Sequence, residues 1–380
     1  MDFAFTKEQL MFKQEVIRFA EKEIVPRVRE HDLKEEFDFE SFRKLGEFGI
    51  LGLHFPEDLG GSGADVITTV LASEALGEAG VDGGLTLSLG AHTFLCADTI
   101  YRHGTDEQRK KYVPKLASGE WIGCMGLTEP NAGSDVASLK ARAEKKGDAY
   151  VLNGNKMFIT NGPIADVAVV YAKTNPELKH AGISAFIIEK GTPGFSAGPN
   201  LIKMGVRTSQ TSELIMNDCV IPAQNLLGEE GEGFNMSMQT VEWDRSALLA
   251  PFVGAAQYML KRCATYANER EQFGRPIGKF QAVKHKLANI RIFVEAARTL
   301  VYRTAWCKDQ GRALNHLEAA VAKLFLGDWS LVPTNDGVVL HGGYGYCHEY
   351  DMERIFRDGR LGPIGGGTSD IQKMIISKLM

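Results

Sequence analysis

Leu127-Thr128-Glu129-Pro130-Asn131-Ala132-Gly133-Ser134-Asp135 is the stretch on which the reading of this chain turns. Proline and glycine close together make a turn, and the hydroxyl side chains and backbone N–H groups around it suit ring edges and phosphate oxygens. Taken alone, the stretch fits a helix-capping turn near Asp135 equally well. Four companions lie downstream. They are Lys156-Met157-Phe158-Ile159-Thr160-Asn161-Gly162; Glu269-Arg270-Glu271-Gln272-Phe273-Gly274 with Pro276-Ile277 and Phe280-Gln281; His341-Gly342-Gly343; and Gly366-Gly367-Thr368-Ser369-Asp370-Ile371-Gln372.

Around these stretches the chain is ordinary soluble protein. Its 380 residues are enough for two or three domains with buried cores, and 44% are hydrophobic against 24% charged. A net charge of −5 argues against a nucleic-acid partner. No apolar run is long enough to span a bilayer, and Met1-Asp2-Phe3-Ala4-Phe5 lacks a signal-peptide pattern, so a cytoplasmic protein with no membrane contact is expected. Cys96, Cys124, Cys219, Cys263, Cys307 and Cys347 show no Cys-x-x-Cys spacing, which predicts reduced, buried thiols and no metal site.

The texture changes twice. Residues 1–120 read as helices: an amphipathic stretch begins after Thr6, and Phe39–Phe48, Val66–Gly77, Thr86–Tyr101 and Glu107–Leu116 continue it, with Gly60–Gly63 as a loop. Over 121–231, short β-branched runs alternate with turn residues, predicting an antiparallel sheet domain or small barrel, and Asn153-Gly154 looks like a hairpin turn. From 232 to 380 the helical period returns over 235–269, 280–309, 313–330 and 369–379, predicting a helical bundle, with Pro251 expected to kink the first of these.

Together, the five stretches resemble the acyl-CoA dehydrogenase family of flavoproteins over nearly the whole chain. The resemblance implies a mainly α fold with a central β domain: an N-terminal helical domain, a small antiparallel β-barrel and a C-terminal four-helix bundle. It also implies FAD as cofactor, an electron-transferring flavoprotein as acceptor, and a homotetramer or homodimer. Neither Gly-x-Gly-x-x-Gly nor a Walker loop is present, which argues against a Rossmann-type site. By the resemblance, Leu127, Thr128, Gly133, Ser134, Phe158 and Thr160 meet the flavin and its phosphate. Arg270, Phe273 and Gln281 grip an FAD bound mainly by a neighbouring subunit, an arginine being suited to a pyrophosphate. Gly342 and Gly343 let backbone approach the adenine half, where Val338 replaces a more usual glutamine, and Thr368 and Asp370 complete that half.

The resemblance departs from the common pattern at Gly366, where most members carry the catalytic glutamate. A minority, the isovaleryl-CoA dehydrogenases among them, place the acid on a helix directly before an arginine. The matching segment here is Val241-Glu242-Trp243-Asp244-Arg245-Ser246, which makes Asp244 the expected base. Aspartate is one methylene shorter than glutamate, about 1.5 Å. Prolyl-carrier-protein dehydrogenases show a similar Trp-acid-basic pattern. Ser134, Glu242, Arg245 and Gly366 are the expected substrate contacts; Asp244 paired with a neighbour on a helix surface is the plainer reading. Phe252 suggests a restricted acyl cavity, and Arg207 an ion pair at a turn. The expected activity is dehydrogenation of a short, branched or cyclic acyl-CoA. The alternatives are a carrier-tethered acyl or prolyl-type thioester, or a flavin protein catalysing a different elimination.

Overall fold

The computed structural model describes residues 4–311 and 316–380, and the side chains of Val241, Glu242 and Asp244 lie outside that description. Thr6 opens α1 (Lys7–Glu23) with a reciprocal cap: its Oγ1 accepts from Gln9 N while Gln9 Oε1 accepts from Thr6 N. There follow α2 (Val25–Lys34), α3 (Phe39–Glu47), α4 (Val66–Ala79), α5 (Gly83–Gly90), α6 (Asp98–His103) and α7 (Asp106–Ala117). The helix expected over Thr86–Tyr101 is divided: a π-helical segment, Ala91–Ala97, joins α5 to α6.

The sheet contains β1 (Gly123–Gly126), β2 (Arg142–Lys146), β3 (Ala149–Thr160), β4 (Val167–Lys173), β5 (Ile183–Glu189), β6 (Phe195–Ala197), β7 (Thr211–Pro222) and β8 (Leu226–Leu227). Their order is β6-β7-β3-β2-β4-β5-β8, with β1 laid against β4. The central sheet domain is there as expected and most of its pairs are antiparallel, but not all. β1 and β2 both run parallel to β4, and the path from β6 to β8 is open. Between β1 and β4 the chain makes the whole β2–β3 excursion, a crossover that returns it in the same direction. Asn153-Gly154 does not turn the chain either. Both residues lie inside β3, where the register against β7 shifts between Leu152 and Gly154 (φ +138°). A Cβ on Gly154 would stand 2.7 Å from Ala141 Cα, so a bulge under close backbone approach selects this glycine.

Beyond the sheet come α8 (Gly233–Asp244), α9 (Ala250–Glu269), a small hairpin of β9 (Glu271–Gln272) and β10 (Arg275–Pro276), α10 (Gln281–Asp309), α11 (His316–Trp329), α12 (Leu331–His341), α13 (Met352–Gly359) and α14 (Ser369–Lys378). α9 to α12 pack on one another as the bundle. The single helix expected over 235–269 is two. The chain leaves the helix after Asp244, turns through Arg245–Leu249, and restarts with Pro251 in the first turn of α9, where its missing N–H costs little.

The two helical regions are welded together. α4 and α9 cross so closely that a Cβ on Gly77 would meet Pro251 O at 2.0 Å, and one on Gly254 would meet Glu74 O at 2.0 Å. Beside that crossing the buried Glu74 carboxylate accepts from Lys13 on α1 and from Arg298 on α10. One apolar core runs through both regions, from Val16 and Phe42 to Trp243, Val294 and Leu326. Buried His92, on the π segment, joins helices to sheet: Nε2 bonds Leu116 O and Nδ1 accepts from Gly123 N. Burial pulls its pKa down to about 4, so it stays neutral and can do both. Five cysteines are buried as expected, but Cys347 is exposed, because it lies in the short helical turns after α12 instead of in a core element.

Candidate functional site

The Leu127–Asp135 loop is held from beneath. Glu129 and Ala132 exchange backbone hydrogen bonds across Pro130-Asn131, making a tight turn. The Glu129 carboxylate turns inward, accepting from Lys140 N (2.6 Å), Ala141 N (2.9 Å) and Lys156 Nζ (2.8 Å). Lys156 is wholly buried and also donates to Leu127 O at 3.2 Å. Burial alone would push the Glu129 carboxyl up; the Lys156 ammonium and the two amides hold it below the usual carboxylate range. Met157 N donates to Thr128 O (2.8 Å), so loop and β3 move as one piece. Asp135 makes no side-chain cap on the short turn that follows, so the helix-capping alternative is not what the loop does.

On this platform the residues expected at the flavin stand together. Phe158 is 64% exposed with a left-handed backbone (φ +61°), a conformation a large side chain adopts only where surroundings impose it. Thr160 is two residues on, and buried Asn161 (φ +65°) fixes the strand end by donating to Ser88 O and Gly123 O. Thr128 and Leu127 are half-buried beside it; Gly133 and Ser134 are exposed, with nothing within 4 Å of where a Gly133 Cβ would stand. An exposed aromatic, hydroxyls and open backbone amides fit a flavin and an adjoining phosphate.

A second group lies at the end of α8. Asp244 and Glu242 belong to that helix, but their side chains are outside the described residues. Arg245 is buried, and its Nη2 lies 3.8 Å from the position a Cβ on Gly367 would take. The turn after α8 therefore meets the Gly366–Gly367 loop directly. Gly366 and Gly367 both have left-handed backbones (φ +64° and +88°), held by fully buried Gln372, whose Nε2 donates to Gly366 O (3.3 Å) and Gly367 O (3.1 Å). A glutamate at Gly366 would carry a conformational cost of about 1 kcal/mol or more. Thr368 caps α14 through Ile371 N, and Asp370 in its first turn is exposed. Leu249, the last residue of the turn after α8, and Phe252 border a cavity of about 70 Å³ that Val81, Phe293 and Leu326 also line.

The third group is on the surface. Arg270 ends α9, Phe273 (93% exposed, φ +53°) tips the β9–β10 hairpin, and Gln281 begins α10, all exposed. Arg270 lies 5.8 Å from the Tyr344 ring and lines an open groove of about 430 Å³ with Gly342 and Gly343. Around both glycines the space a Cβ would take is open, with no atom within 4 Å. Val338, behind the groove, packs in the core of α9 and α12. These residues fit a phosphate-and-adenine half.

The reading by residue type missed the supports. Glu129, Lys156 and Gln372 all lie inside the quoted stretches, and the signal was available: charged or amide residues amid glycine and apolar neighbours suggest buried, paired groups. Arg207 does pair at its turn, with Glu35 at 3.7 Å.

Comparison with known proteins gives one answer along the chain. Family profiles match for the acyl-CoA dehydrogenase N-terminal domain (residues 6–120), middle domain (124–219) and C-terminal domain (231–380). A short-chain specific acyl-CoA dehydrogenase of Clostridium acetobutylicum is 43% identical over 99% of both chains. The mitochondrial isovaleryl-CoA dehydrogenase of Oryza sativa subsp. japonica is 41% identical over 98% of this chain and 91% of its own. Among solved structures, the prolyl acyl carrier protein oxidase AnaB superposes with a TM-score of 0.96 at 38% identity, covering 99% of both chains.

Proposed function

Because the chain belongs to the acyl-CoA dehydrogenase family, we propose that it dehydrogenates a short, branched or cyclic acyl-CoA, with Asp244 as the base. It is an FAD-dependent oxidoreductase. FAD, when bound, supplies a hydride acceptor at its N5. Leu127, Thr128, Gly133, Ser134, Phe158 and Thr160 orient the flavin half; Gly342, Gly343, Thr368 and Asp370 face the adenine half.

The observation that carries the reading is the meeting of Arg245 with the Gly366–Gly367 loop. The loop offers no carboxylate there, and the α8 end brings one in sequence next to Arg245. Asp244 takes the proton from the carbon next to the thioester carbonyl; a carboxylate screened from water has the raised pKa that step needs. Arg245, Glu242, Ser134 and the backbone at Gly366 hold the thioester and its carrier. Leu249 and Phe252 at that cavity support a small acyl group.

Arg270, Phe273 and Gln281 serve the FAD of a second copy, in a homotetramer or homodimer. Electrons leave to an electron-transferring flavoprotein, and the enzyme is cytoplasmic. Division into 1–120, 121–231 and 232–380 follows the change from helices to sheet and back. Among the described residues, no helix is long and apolar enough to cross a membrane, and no group of His, Cys, Asp or Glu is placed to hold a metal.

A carrier-tethered acyl or prolyl group is the second reading, favoured by the likeness to AnaB across the full chain. Anaerobic mixing with butyryl-CoA, isovaleryl-CoA and a prolyl-loaded carrier protein separates the two: the true substrate bleaches the flavin. Asp244→Asn should keep FAD yet lose about a thousandfold in flavin reduction; full-rate reduction by that variant rejects Asp244 as base. No bleaching with any thioester would point to a different elimination.

A further inference from the structure

Trp243 precedes Asp244 in the last turn of α8, and its indole, 2% exposed, is gripped by three elements. Phe94, in the π-helical segment, stacks on it with centroids 5.2 Å apart and an interplanar angle of 14°. The His54 imidazole, from the loop after α3, lies against it at 5.0 Å. Lys308, near the end of α10, places its ammonium 4.8 Å from the indole ring.

His54 is itself fixed. Its Nε2 lies 3.1 Å from Oδ1 of Asp98, which is 1% exposed, while Asp98 Oδ2 accepts from Arg102 Nε at 2.5 Å. Burial pushes the Asp98 carboxyl up, but the hydrogen bond from His54 and the charges of Arg102 and Lys308 hold it below the usual range. It is therefore a carboxylate that accepts from both neighbours, so Nε2 of His54 carries the hydrogen.

A filler of this space would be apolar. Here two buried nitrogens, His54 Nδ1 and Trp243 Nε1, meet no hydrogen-bond partner among the described residues, and a carboxylate is sunk beneath them. Burying such groups opposes folding. What the arrangement provides is direction: an imidazole aligned by Asp98 and pressed on the indole fixes the rotation of the α8 end about its axis. Residue 244 follows Trp243 directly and inherits that rotation.

We propose that His54, aligned by Asp98, is a positioning residue that acts through Trp243 to aim residue 244 at the substrate. The proposal rests on the reading of Asp244 as base, and it assigns His54 no contact with the reacting atoms. A site tuned this way loses rate steeply when misaimed, roughly a hundredfold for about 1 Å.

The test uses FAD-loaded full-length enzyme and whichever of butyryl-CoA, isovaleryl-CoA or prolyl-loaded carrier protein bleaches the wild-type flavin. His54→Phe keeps an aromatic ring on Trp243 and removes the bond to Asp98. His54→Gln keeps a side-chain N–H for Asp98. The expected result is flavin reduction at saturating substrate about tenfold slower in His54→Phe, with unchanged FAD content, melting temperature and half-saturation, and rescue toward wild type in His54→Gln. Placed on Asp244→Asn, His54→Phe should add no further loss, since both act at one point. Hydrogen exchange over residues 236–249, which needs no substrate, should quicken in His54→Phe alone. Unchanged reduction and exchange in His54→Phe overturns the proposal while leaving the base assignment standing, as does a slowing that merely tracks FAD loss or unfolding. Full-rate reduction by Asp244→Asn defeats the base assignment instead, whatever His54→Phe does.

Discussion

The Leu127–Asp135 loop, with Phe158 on the strand it is tied to, and the β9–β10 hairpin, with Phe273, each set turn residues beside one exposed aromatic with a left-handed backbone, yet they are secured in opposite ways. Beneath the loop lies a buried ion pair, Glu129–Lys156, whose remaining hydrogen-bonding capacity goes to the backbone of the loop and of the approach to β2. The hairpin has two short ladder partners, and Phe273 at its tip is 93% exposed. Buried polar groups cost free energy unless every one is met, so a chain that keeps them there fixes a geometry to high precision. The hairpin needs no such frame if its shape is completed by another molecule.

The largest effect follows from breaking the frame. Lys156→Met strands the Glu129 carboxylate in a dry site and should destabilise the protein by about 3–5 kcal/mol, with FAD released on warming; thermal unfolding with flavin fluorescence checks it. A smaller effect sits where the two helical regions and the sheet meet at Asp358, which accepts from Gly83 N and Val206 N. Burial raises its pKa to about 6. Because the folded pKa lies above the unfolded one, the folded state holds the extra proton, and stability falls as pH rises from about 4 to about 6, then levels. The contribution is on the order of 2 kcal/mol, read as the change between pH 4 and pH 7 in the stability gap between wild type and Asp358→Asn. On the hairpin side, Arg270→Ala should weaken FAD binding about tenfold with an unchanged melting temperature of the apoprotein; equal losses in both would erase the contrast between loop and hairpin. The mildest change is Phe158→Gly, which relieves a left-handed phenylalanine and should stabilise the apoprotein by up to about 1 kcal/mol while FAD binding weakens.

Helices and sheet were legible because their signals are local. The Thr6–Gln9 cap and the β-branched runs each act within a few residues, whereas the turn Arg245–Leu249, which divides the helix expected over 235–269, was signalled only as a kink at Pro251. Asn153-Gly154 misled because the contact that selects Gly154, with Ala141, is tertiary, and the same dipeptide serves a bulge or a turn. The parallel pairing of β1 with β4 escaped for the same reason: nothing in Gly123–Gly126 encodes its partner. Of the candidate site, the exposed residues could be named from the motifs. Their supports, Glu129 to Lys156 and Gln372 to the Gly366–Gly367 loop, left only a fainter signal, charged or amide residues amid glycine and apolar neighbours, and their pairing is settled by the whole fold. Asp244 and Glu242, read from the sequence, lie outside the described side chains.

The π-helical segment Ala91–Ala97 has a consequence for how this chain tolerates insertions and deletions. Such a turn holds one residue more than an α-helical one, so removing a single residue there lets the helix rewind without a gap. Everything downstream would then keep nearly the same face, whereas the same loss in a regular α-helix would swing it by about 100°, the angle between successive residues. Asp98 would still face His54, so this segment is a place where the chain can lose a residue and keep the pair aligned.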